Sequence, residues 1–504
     1  MRSWLWMFLG TWLVTSGGCT CIIDADRYRG GGPHGDGGGM DGPDNAPDGA
    51  GADGRVESDA GPIEPTSFRE GEGSGTGAPP VVIVLRGGPF AAGATVRVVR
   101  NDDTETDLVV EPPEVSGDGS MLAVAIRIPV DVELDETENA TLEVFVDDES
   151  EGTLLVDGLD EADLSGTIDT DTDLRPLYSR ITFSNPVEFA GASPAILRST
   201  TDITSGFSLD AAGRQSGNGI AAGAPGPAGC AGGAVHAAGD CSIGGGEPGG
   251  TQVSTGTGGG GGGHATEGTG GANGGNGGQR TGNERLLPLS EEGGNGGGGG
   301  GDGMTGDQGA GGGGGGVVEL TAAGRIRLDG EVSANGGRGS NGNGALAATA
   351  EGSGGGGSGG AILVRAIAIV GAGSLTAVGA EGGTTFNVGG RGADGRIRVD
   401  VGSEGLPTLD SDPAPFRGPH WANDTEHLVR QAEFTATLYG QPNTTFAASV
   451  DGSDPEDVET DIDGRGTFMV TLEPGHNRIC AIVSPDAQLL PEAVRCTIVT
   501  YVPE

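Results

Sequence analysis

A set of three apolar residues, each six positions after the last, occurs three times in the middle of the chain and constrains the fold more than any other feature. The anchors of successive copies are Leu197, Ile203 and Leu209; Leu320, Ile326 and Val332; and Leu363, Ile369 and Leu375. Each copy then ends in Ala-x-Gly, at residues 211–213, 334–336 and 377–379. This spacing suits a coil that turns around an apolar core and presents one short strand to each of three faces. The repeat therefore predicts a central β-solenoid over residues 180–402.

Neighbouring coils of this kind must stack, because no single coil buries its apolar face alone. We therefore expect Ile203, Ile326 and Ile369, which hold the same place in each copy, to lie in one column. The ends of the stack are predicted at an incomplete first copy and a closing strand: Ile181 with Val187, and residues 396–401. Val317 lies just outside the anchor positions. A charge introduced at Val317 is therefore expected to disturb the fold less than a charge introduced at Ile326.

Glycine accounts for 106 of the 504 residues and is concentrated in inserts between the copies. The longest runs are residues 258–263, 296–301 and 311–316. This composition is typical of flexible loops, because ordering glycine costs more chain entropy than ordering any other residue. Packed polyglycine helices are the alternative, but they need a regular glycine spacing that is only patchy here. The sequence therefore favours flexible loops between the coils.

Short β-branched segments bounded by Gly, Pro, Asp or Asn flank the repeat and predict strands. They are residues 81–85, 95–99, 122–128 and 141–146 on one side, and residues 433–438, 444–450, 467–472, 479–483 and 496–499 on the other. The first group resembles an Ig-like or IPT-type module, and the turn at 461–468 is similar to that of bacterial Ig-like repeats. The resemblance implies an all-β chain, in which Ig-like β-sandwiches at 79–157 and 427–504 flank the β-solenoid. An acidic connector, 158–179, and a linker, 403–426, would join them.

The first residues have the order of a bacterial export signal, with the charged Arg2, an apolar stretch over residues 4–15 and small residues before Cys19. The apolar stretch is too short to span a membrane. Residues 1–18 resemble a lipoprotein signal peptide, which implies lipidation of Cys19 and attachment to a membrane. Thr20 replaces the Asp that commonly retains such proteins in the inner membrane, so the outer membrane or the cell surface is favoured.

A plain secretory signal is the alternative, because Ser16 stands where lipoprotein signals usually have an aliphatic residue. The protein would then be secreted or periplasmic. Residues 19–78 have no sustained apolar periodicity and are rich in Gly, Asp and Pro. They are predicted to be a disordered tether, since such a segment cannot bury enough surface to offset its chain entropy.

The formal net charge of −44 excludes nucleic acid as a partner, because the phosphates of nucleic acids would be repelled. All 27 basic residues are arginine. Chemistry that requires lysine, such as a Schiff base, a P-loop or a Ser-Lys dyad, is therefore excluded as well.

Four cysteines outside the export signal fall into two pairs that are close in sequence, Cys230 with Cys241 and Cys480 with Cys496. Export into an oxidising compartment predicts a disulfide in each pair. Zinc is the alternative for the first pair, because His236 lies between its members. The sequence names no further ligand for that zinc.

The densest regular group of carboxylates is Asp169, Asp171 and Asp173. If this segment is extended, the three side chains share one face and could bind Ca²⁺, which prefers oxygen ligands. A solvated acidic connector is the other interpretation and the one the sequence favours, because the Gly and Glu of the EF-hand loop are missing. No other cofactor is predicted.

As a whole the chain resembles the glycine-rich, multi-module surface lipoproteins of Gram-negative bacteria. The resemblance implies a location rather than an activity. The lack of a recognisable active site in the sequence favours a non-enzymatic structural or adhesive role, with a surface glycan or another envelope protein as partner. No nucleophile, base and acid come together in the sequence, which is why no catalytic residue is predicted. The alternative is a β-solenoid that binds or processes a polysaccharide, since enzymes of that fold carry polar side chains on one outward face.

Overall fold

The computed structural model describes 18 segments of the chain. They are residues 64–65, 80–86, 89–100, 112–127, 140–147, 149–156, 161–175, 178–199, 201–217, 221–241, 244–249, 256–301, 308–342, 351–385, 387–402, 409–422, 428–483 and 493–504. Their regular secondary structure is strand, apart from a 3-10 helix at Leu289–Glu291. The predicted all-β class is confirmed.

Two antiparallel sheets form from the first seven strands. These strands are β1 (Glu64–Pro65), β2 (Pro80–Arg86), β3 (Val96–Arg100), β4 (Glu114–Val115), β5 (Met121–Arg127), β6 (Ala140–Val146) and β7 (Glu149–Val156). One sheet has the order β1-β2-β5-β4 and the other the order β3-β6-β7. Part of the segment predicted as a tether therefore pairs with a sheet, because Glu64 lies opposite Val84.

The middle of the chain forms the parallel stack, a set of fourteen strands that pair only in parallel with one another. They are β8 (Glu161–Asp169), β9 (Arg180–Ala190), β10 (Ala195–Ser199), β11 (Ile203–Ser205), β12 (Leu209–Asp210), β13 (Val317–Ala322), β14 (Arg325–Leu328), β15 (Glu331–Ser333), β16 (Ala361–Ala366), β17 (Ala368–Val370), β18 (Ser374–Thr376), β19 (Arg396–Val401), β20 (Asp410–Asp412) and β21 (Phe416–Arg417). The predicted connector thus contributes β8 to the stack, and the predicted linker contributes β20 and β21.

The predicted column of isoleucines is confirmed by the strand register. Ile326 lies opposite Ile203 on one side and Ile369 on the other, and Ile203 also lies opposite Ile181. A second column follows the third anchors: Val187, Leu209, Val332 and Leu375. All of these side chains belong to one buried apolar core, so each coil covers the apolar face of the next.

One predicted anchor, Leu363, is wrong. Val364 lies opposite Leu320 and faces the core of the stack, only five residues before Ile369. Leu363 points to the other side of β16, into a separate buried cluster with Leu286 and Leu289. Both faces of β16 are buried and apolar residues run through it, so the hydrophobic pattern could not show which face was inward.

Val317 does not lie on a solvated face, as the expectation of a milder effect of a charge there required. Val317 is fully buried in the same cluster as Leu363, where Leu286 and Leu289 cover it. The outer face of β13 is therefore a second core rather than a solvated face. A charge at Val317 would be desolvated just as one at Ile326 would be.

The glycine-rich inserts are packed against one another, and the expectation of flexible loops is wrong. The backbone N–H groups of residues 258–263 donate in turn to three different neighbouring segments. Gly259 and Gly262 donate to Ser353 and Gly356, Gly260 and Gly263 to Glu247 and Gly244, and Gly258 and Gly261 to Ala272 and Thr269. The donor···acceptor distances are 2.8–2.9 Å. Every third N–H group thus points in the same direction. This is typical of a polyproline II helix, which has three residues per turn and makes no hydrogen bonds within itself.

Residues 311–316 repeat this pattern with other partners, and we call the whole array the glycine lattice. It comprises the described parts of residues 211–316, 334–360 and 377–395. Gly312 and Gly315 donate to Gly355 and Ser358, while the two residues after each of them donate to two further segments. The segments approach so closely that a Cβ on most of these glycines would overlap a backbone atom; on Gly260 it would overlap the carbonyl of Asn276.

The lattice grows directly out of the parallel stack. The three Ala-x-Gly endings continue the stacking beyond the last strand of each coil, since Ala211 donates to Ser333, Ala334 to Thr376 and Ala377 to Asp412. Glycine segments then return to the stack, where 309–316 lead into β13, 352–360 into β16 and 389–395 into β19. Each coil is therefore extended by glycine-rich chain that leaves the stack after one coil and returns at the start of the next.

Two further sheets complete the fold, built from β22 (His420–Trp421), β23 (Leu428–Val429), β24 (Glu433–Tyr439), β25 (Thr445–Val450), β26 (Glu456–Glu459), β27 (Arg465–Thr471), β28 (Gly475–Ile482) and β29 (Val494–Tyr501). Their orders are β22-β24-β27 and β23-β29-β28-β25-β26. We call them the C-terminal sheets. They enclose a core in which Trp421, Phe446 and Phe468 are buried.

The C-terminal sheets contact the first sheet of the chain. Arg430 donates to the carbonyl oxygen of Val115 at 2.9 Å and pairs with the carboxylate of Glu114. Val502 is buried among apolar side chains of β2 and β5, and the N–H of Gly117 donates to the carbonyl oxygen of Pro503 at 3.0 Å. The two ends of the described chain are therefore packed together.

The lattice predicts a sharp difference between two glycines. Gly260→Ala should lower the free energy of unfolding by about 1–3 kcal/mol, because the new methyl group forces neighbouring backbones apart. Gly270 is exposed on the rim and its nearest atom to a new Cβ is 3.4 Å away, so Gly270→Ala should be within about 0.5 kcal/mol of the wild type. Denaturant unfolding of the two variants measures this, and equal effects would contradict the lattice.

Candidate functional site

The richest cluster of charged side chains lies on the outer face of the parallel sheet β10-β13-β16-β19. On β19, Ile397, Val399 and Val401 face the core of the stack, and the alternate residues Arg396, Arg398 and Asp400 face outward. All six residues of β19 are nevertheless buried. Outward-facing charges at this position are therefore removed from water and require internal partners.

Asp400 is the centre of the first group. Its two carboxylate oxygens accept hydrogen bonds from Nε and Nη2 of Arg398, at 2.8 and 2.7 Å, in a bidentate pair. Nε of Arg365, which the register places beside Asp400, donates to the same carboxylate at 3.2 Å. Arg398 also donates to the carbonyl oxygen of Arg285 at 2.8 Å. The group therefore binds the segment whose Leu286 and Leu289 pack on the outer face of β13 and β16.

Arg396 holds the second group together. Its Nη1 donates to Glu292 at 3.0 Å, and its Nη2 donates to the carbonyl oxygens of Thr281 and His264 at 2.6 and 3.2 Å. His264 donates through Nδ1 to the carbonyl oxygen of Gly359 at 2.8 Å, and its Nε2 lies 3.4 Å from Glu292. Burial lowers the pKa of Arg396 from its ordinary value, against the opposing effect of Glu292. These contacts join the glycine lattice to β19.

A third buried group lies inside the C-terminal sheets, where β22 meets β29 beside the end of β19. Nε2 of His420 lies 3.0 Å from Nη2 of Arg495, and Nδ1 of His420 lies 2.7 Å from the carbonyl oxygen of Trp421. The indole N–H of Trp421 donates to the carbonyl oxygen of Arg495 at 3.0 Å. Burial lowers the pKa of His420 to about 4 and that of Arg495 to about 9.

These groups bind protein rather than a substrate. Glu292 and Asp400 are almost completely buried and already accept hydrogen bonds from arginine, so neither is exposed to act as a base or a nucleophile. In the part of the chain that the structure describes, no group of three or more His, Cys, Asp or Glu side chains is placed to hold a metal ion. The arrangement can stabilise the contacts between segments that are distant in sequence.

Both predicted disulfides are present. Cys480 lies opposite Cys496 in the register of β28 and β29, so this bond joins neighbouring strands. Cys230 is joined to Cys241 within the glycine lattice, where the N–H of Cys230 donates to the carbonyl oxygen of Gly294 at 2.9 Å. The bond between Cys230 and Cys241 therefore closes a short loop inside the lattice.

Of the three aspartates of the calcium hypothesis, Asp169 ends β8, and Asp171 and Asp173 lie in the tight turn that follows, so the segment is not extended throughout as that hypothesis required. Asp171 accepts hydrogen bonds from the N–H groups of Ala192 and Ser193, at 2.8 and 2.9 Å. The bond from Ala192 is the main cause that lowers the pKa of Asp171. Asp169 and Asp173 accept hydrogen bonds from N–H groups of the same turn. These contacts give the carboxylates a role in shaping the turn, and calcium binding stays a prediction.

The predicted lipidation site, Cys19, lies outside the described residues. Within the described residues, no helix has the length and apolar character needed to cross a membrane. Comparison of the chain with protein-family profiles, with curated proteins and with solved structures found no match.

Sequence reasoning missed the buried charges, although a signal was available. Residues 396–401 alternate Arg-Ile-Arg-Val-Asp-Val, which predicts the strand that closes the stack but was not used to predict partners for its charged residues. The strands stacked beside it, β13 and β16, also carry charged residues between apolar ones, namely Glu319 and Arg365. Charges of opposite sign at neighbouring positions of stacked copies were the available indication of internal pairing.

The cluster predicts a large effect of neutralising Asp400. Asp400→Asn removes the carboxylate that binds Arg365 and Arg398 in a buried site, so the free energy of unfolding should fall by about 3–5 kcal/mol. Asp329→Asn is the matched control, because Asp329 pairs with Arg327 at the surface and should cost no more than about 1 kcal/mol. Denaturant unfolding compares them, and a small effect of both changes would show that the cluster does not stabilise the fold.

Proposed function

We propose that this chain is a non-enzymatic lipoprotein of the bacterial cell envelope with a structural or adhesive role at the surface. In this proposal the parallel stack, from β8 to β21, is a β-solenoid widened by the glycine lattice, and residues 79–157 and 427–504 are Ig-like modules. The lipid on Cys19 attaches the protein to the outer membrane, and residues 19–78 hold it away from the lipid. The proposed partner is a surface glycan or another envelope protein.

The single observation that carries the proposal is where the hydrogen bonds go. Backbone groups of the stack and of the lattice bind one another, and the buried charged side chains bind one another or the backbone. Such a body gains rigidity rather than a cleft for chemistry. Rigidity is what a surface scaffold or adhesin needs to hold a binding face at a fixed distance from the cell.

A polysaccharide-processing enzyme is the second candidate, and one row of side chains favours it. The register places Glu188, Asp210, Ser333, Thr376 and Asp412 in line on the outward face of five stacked strands. However, Arg214 pairs with both Glu188 and Asp210, and Asn335 donates to both Ser333 and Thr376. These bonds within the row support a role in stability or binding over catalysis.

One experiment separates the two candidates. The purified protein is applied to a glycan array, and every glycan that retains it is then incubated with the protein in a reducing-sugar release assay. We expect retention without release, because Glu188 and Asp210 of the row are paired with Arg214 and are therefore not free to act as the two carboxylates of a glycosidase. Release of sugar from any retained polysaccharide would overturn the non-enzymatic proposal.

Cys19→Ser is the matched control for the envelope part of the proposal. The variant lacks the thiol that would carry the lipid, so cells should release it into soluble fractions while the wild type stays with the outer membrane. After purification the variant should retain the same glycans as the wild type. If both proteins stayed with the membrane, lipidation of Cys19 would not be what anchors the protein. The result of the glycan array would not be affected by that outcome.

A further inference from the structure

His420 lies where the parallel stack meets the C-terminal sheets. It is the first residue of β22, and its register partner is Tyr439 of β24. On the other side it packs against Gly402, directly after β19. A Cβ on Gly402 would come within 2.8 Å of the Trp421 carbonyl oxygen and 2.9 Å of Nδ1 of His420. No side chain larger than glycine fits there without moving β22.

The contacts of His420 assign its tautomer. A guanidinium group only donates hydrogen bonds, so Nε2 of His420 accepts from Arg495 at 3.0 Å. Nδ1 therefore carries the proton and donates to the carbonyl oxygen of Trp421 at 2.7 Å. The ring is neutral in this arrangement, and a second proton on Nε2 would face the guanidinium of Arg495.

The charges around the ring come from three further strands. Asp400 on β19 favours a positive charge on His420, whereas Arg365 on β16 and Arg417 on β21 oppose it. The carboxylate of Asp400 is already paired with the guanidinium groups of Arg365 and Arg398, so its negative charge is largely balanced before His420 takes up a proton. A proton on His420 therefore enters a buried site that already holds several arginine side chains.

We propose that His420 is an acid-sensitive joint, at which uptake of one proton breaks the contact with Arg495 on β29 and releases β22 from its neighbours in the C-terminal sheets. Because β22 also lies against Gly402 at the end of β19, its release opens the contact between the C-terminal sheets and the parallel stack, while the stack keeps its own core. The proposal concerns conformation and is independent of the proposed surface function.

The direction of the effect follows from the neutral ring. Burial lowers the pKa of His420 from 6.5 to about 4 in the closed joint, whereas an opened ring in water regains its ordinary value. At pH values well above 6.5 both forms are neutral and the joint is insensitive to pH. As the pH falls from 6.5 to 4, the open form binds a proton that the closed form does not, so the closed form is progressively disfavoured. Between pH 7.5 and 4.5 the opening constant should rise roughly 70-fold.

Hydrogen exchange measured by mass spectrometry tests this in the full chain. The N–H of Ala422 donates to the carbonyl oxygen of Thr437 across β22 and β24, and the N–H of Gly262 donates to Gly356 inside the lattice. After correction for intrinsic exchange rates, protection of Ala422 should fall roughly 70-fold between pH 7.5 and 4.5. Protection of Gly262 should change much less. An equal loss at both amides would mean global unfolding and would overturn the proposal.

His420→Gln supplies the matched control, because glutamine can accept from Arg495 and donate to Trp421 but does not titrate in this range. The variant should keep the protection of Ala422 nearly constant over the same pH interval. A wild-type loss that persists in His420→Gln would show that another group controls the joint. If the variant fails to fold, the wild type still decides the matter, because unchanged protection of Ala422 down to pH 4.5 contradicts the joint.

Discussion

The backbone hydrogen bond between neighbouring glycine segments is the interaction on which the rest of this structure depends. In the lattice each segment donates in three directions with a period of three residues, and its neighbours lie so close that a Cβ would overlap a carbonyl. Few side chains contribute to the interior of the lattice. Ordering so much glycine is costly in entropy, and the close approach of the segments provides the compensating hydrogen bonds and van der Waals contacts.

The parallel stack and the lattice support each other. The stack has a side-chain core in which Ile203, Ile326 and Ile369 form a column, and it fixes the positions where each glycine-rich insert leaves and returns. The lattice in turn lies beside the outer face of the stack, where Arg396 and Glu292 are paired out of contact with water. A chain with a net charge of −44 thus places a small number of arginines at its internal junctions, where each can bind several oxygen atoms.

Sequence reasoning could predict the stack because its signal is a side-chain pattern. The spacing of Ile203, Ile326 and Ile369 identified their column, and the four cysteines identified both disulfides. Leu363 was misplaced because β16 is buried on both faces, which removes the alternation that distinguishes inside from outside. The glycine lattice could not be recognised in the same way, since its order resides in backbone contacts between segments far apart in sequence. The joint at His420 was missed for a related reason, because its partners come from four different strands.

The most direct test of the account is the exchange rate of glycine amides in protein labelled with ¹⁵N-glycine. If the lattice is ordered, Gly259, Gly260 and Gly262 should exchange with solvent deuterium as slowly as strand amides of the stack, at least about a thousandfold below the rate of an open chain. The exposed Gly270 should exchange much faster. Rates at Gly259–Gly262 equal to those of an unstructured glycine peptide would contradict the account and return these segments to flexible loops.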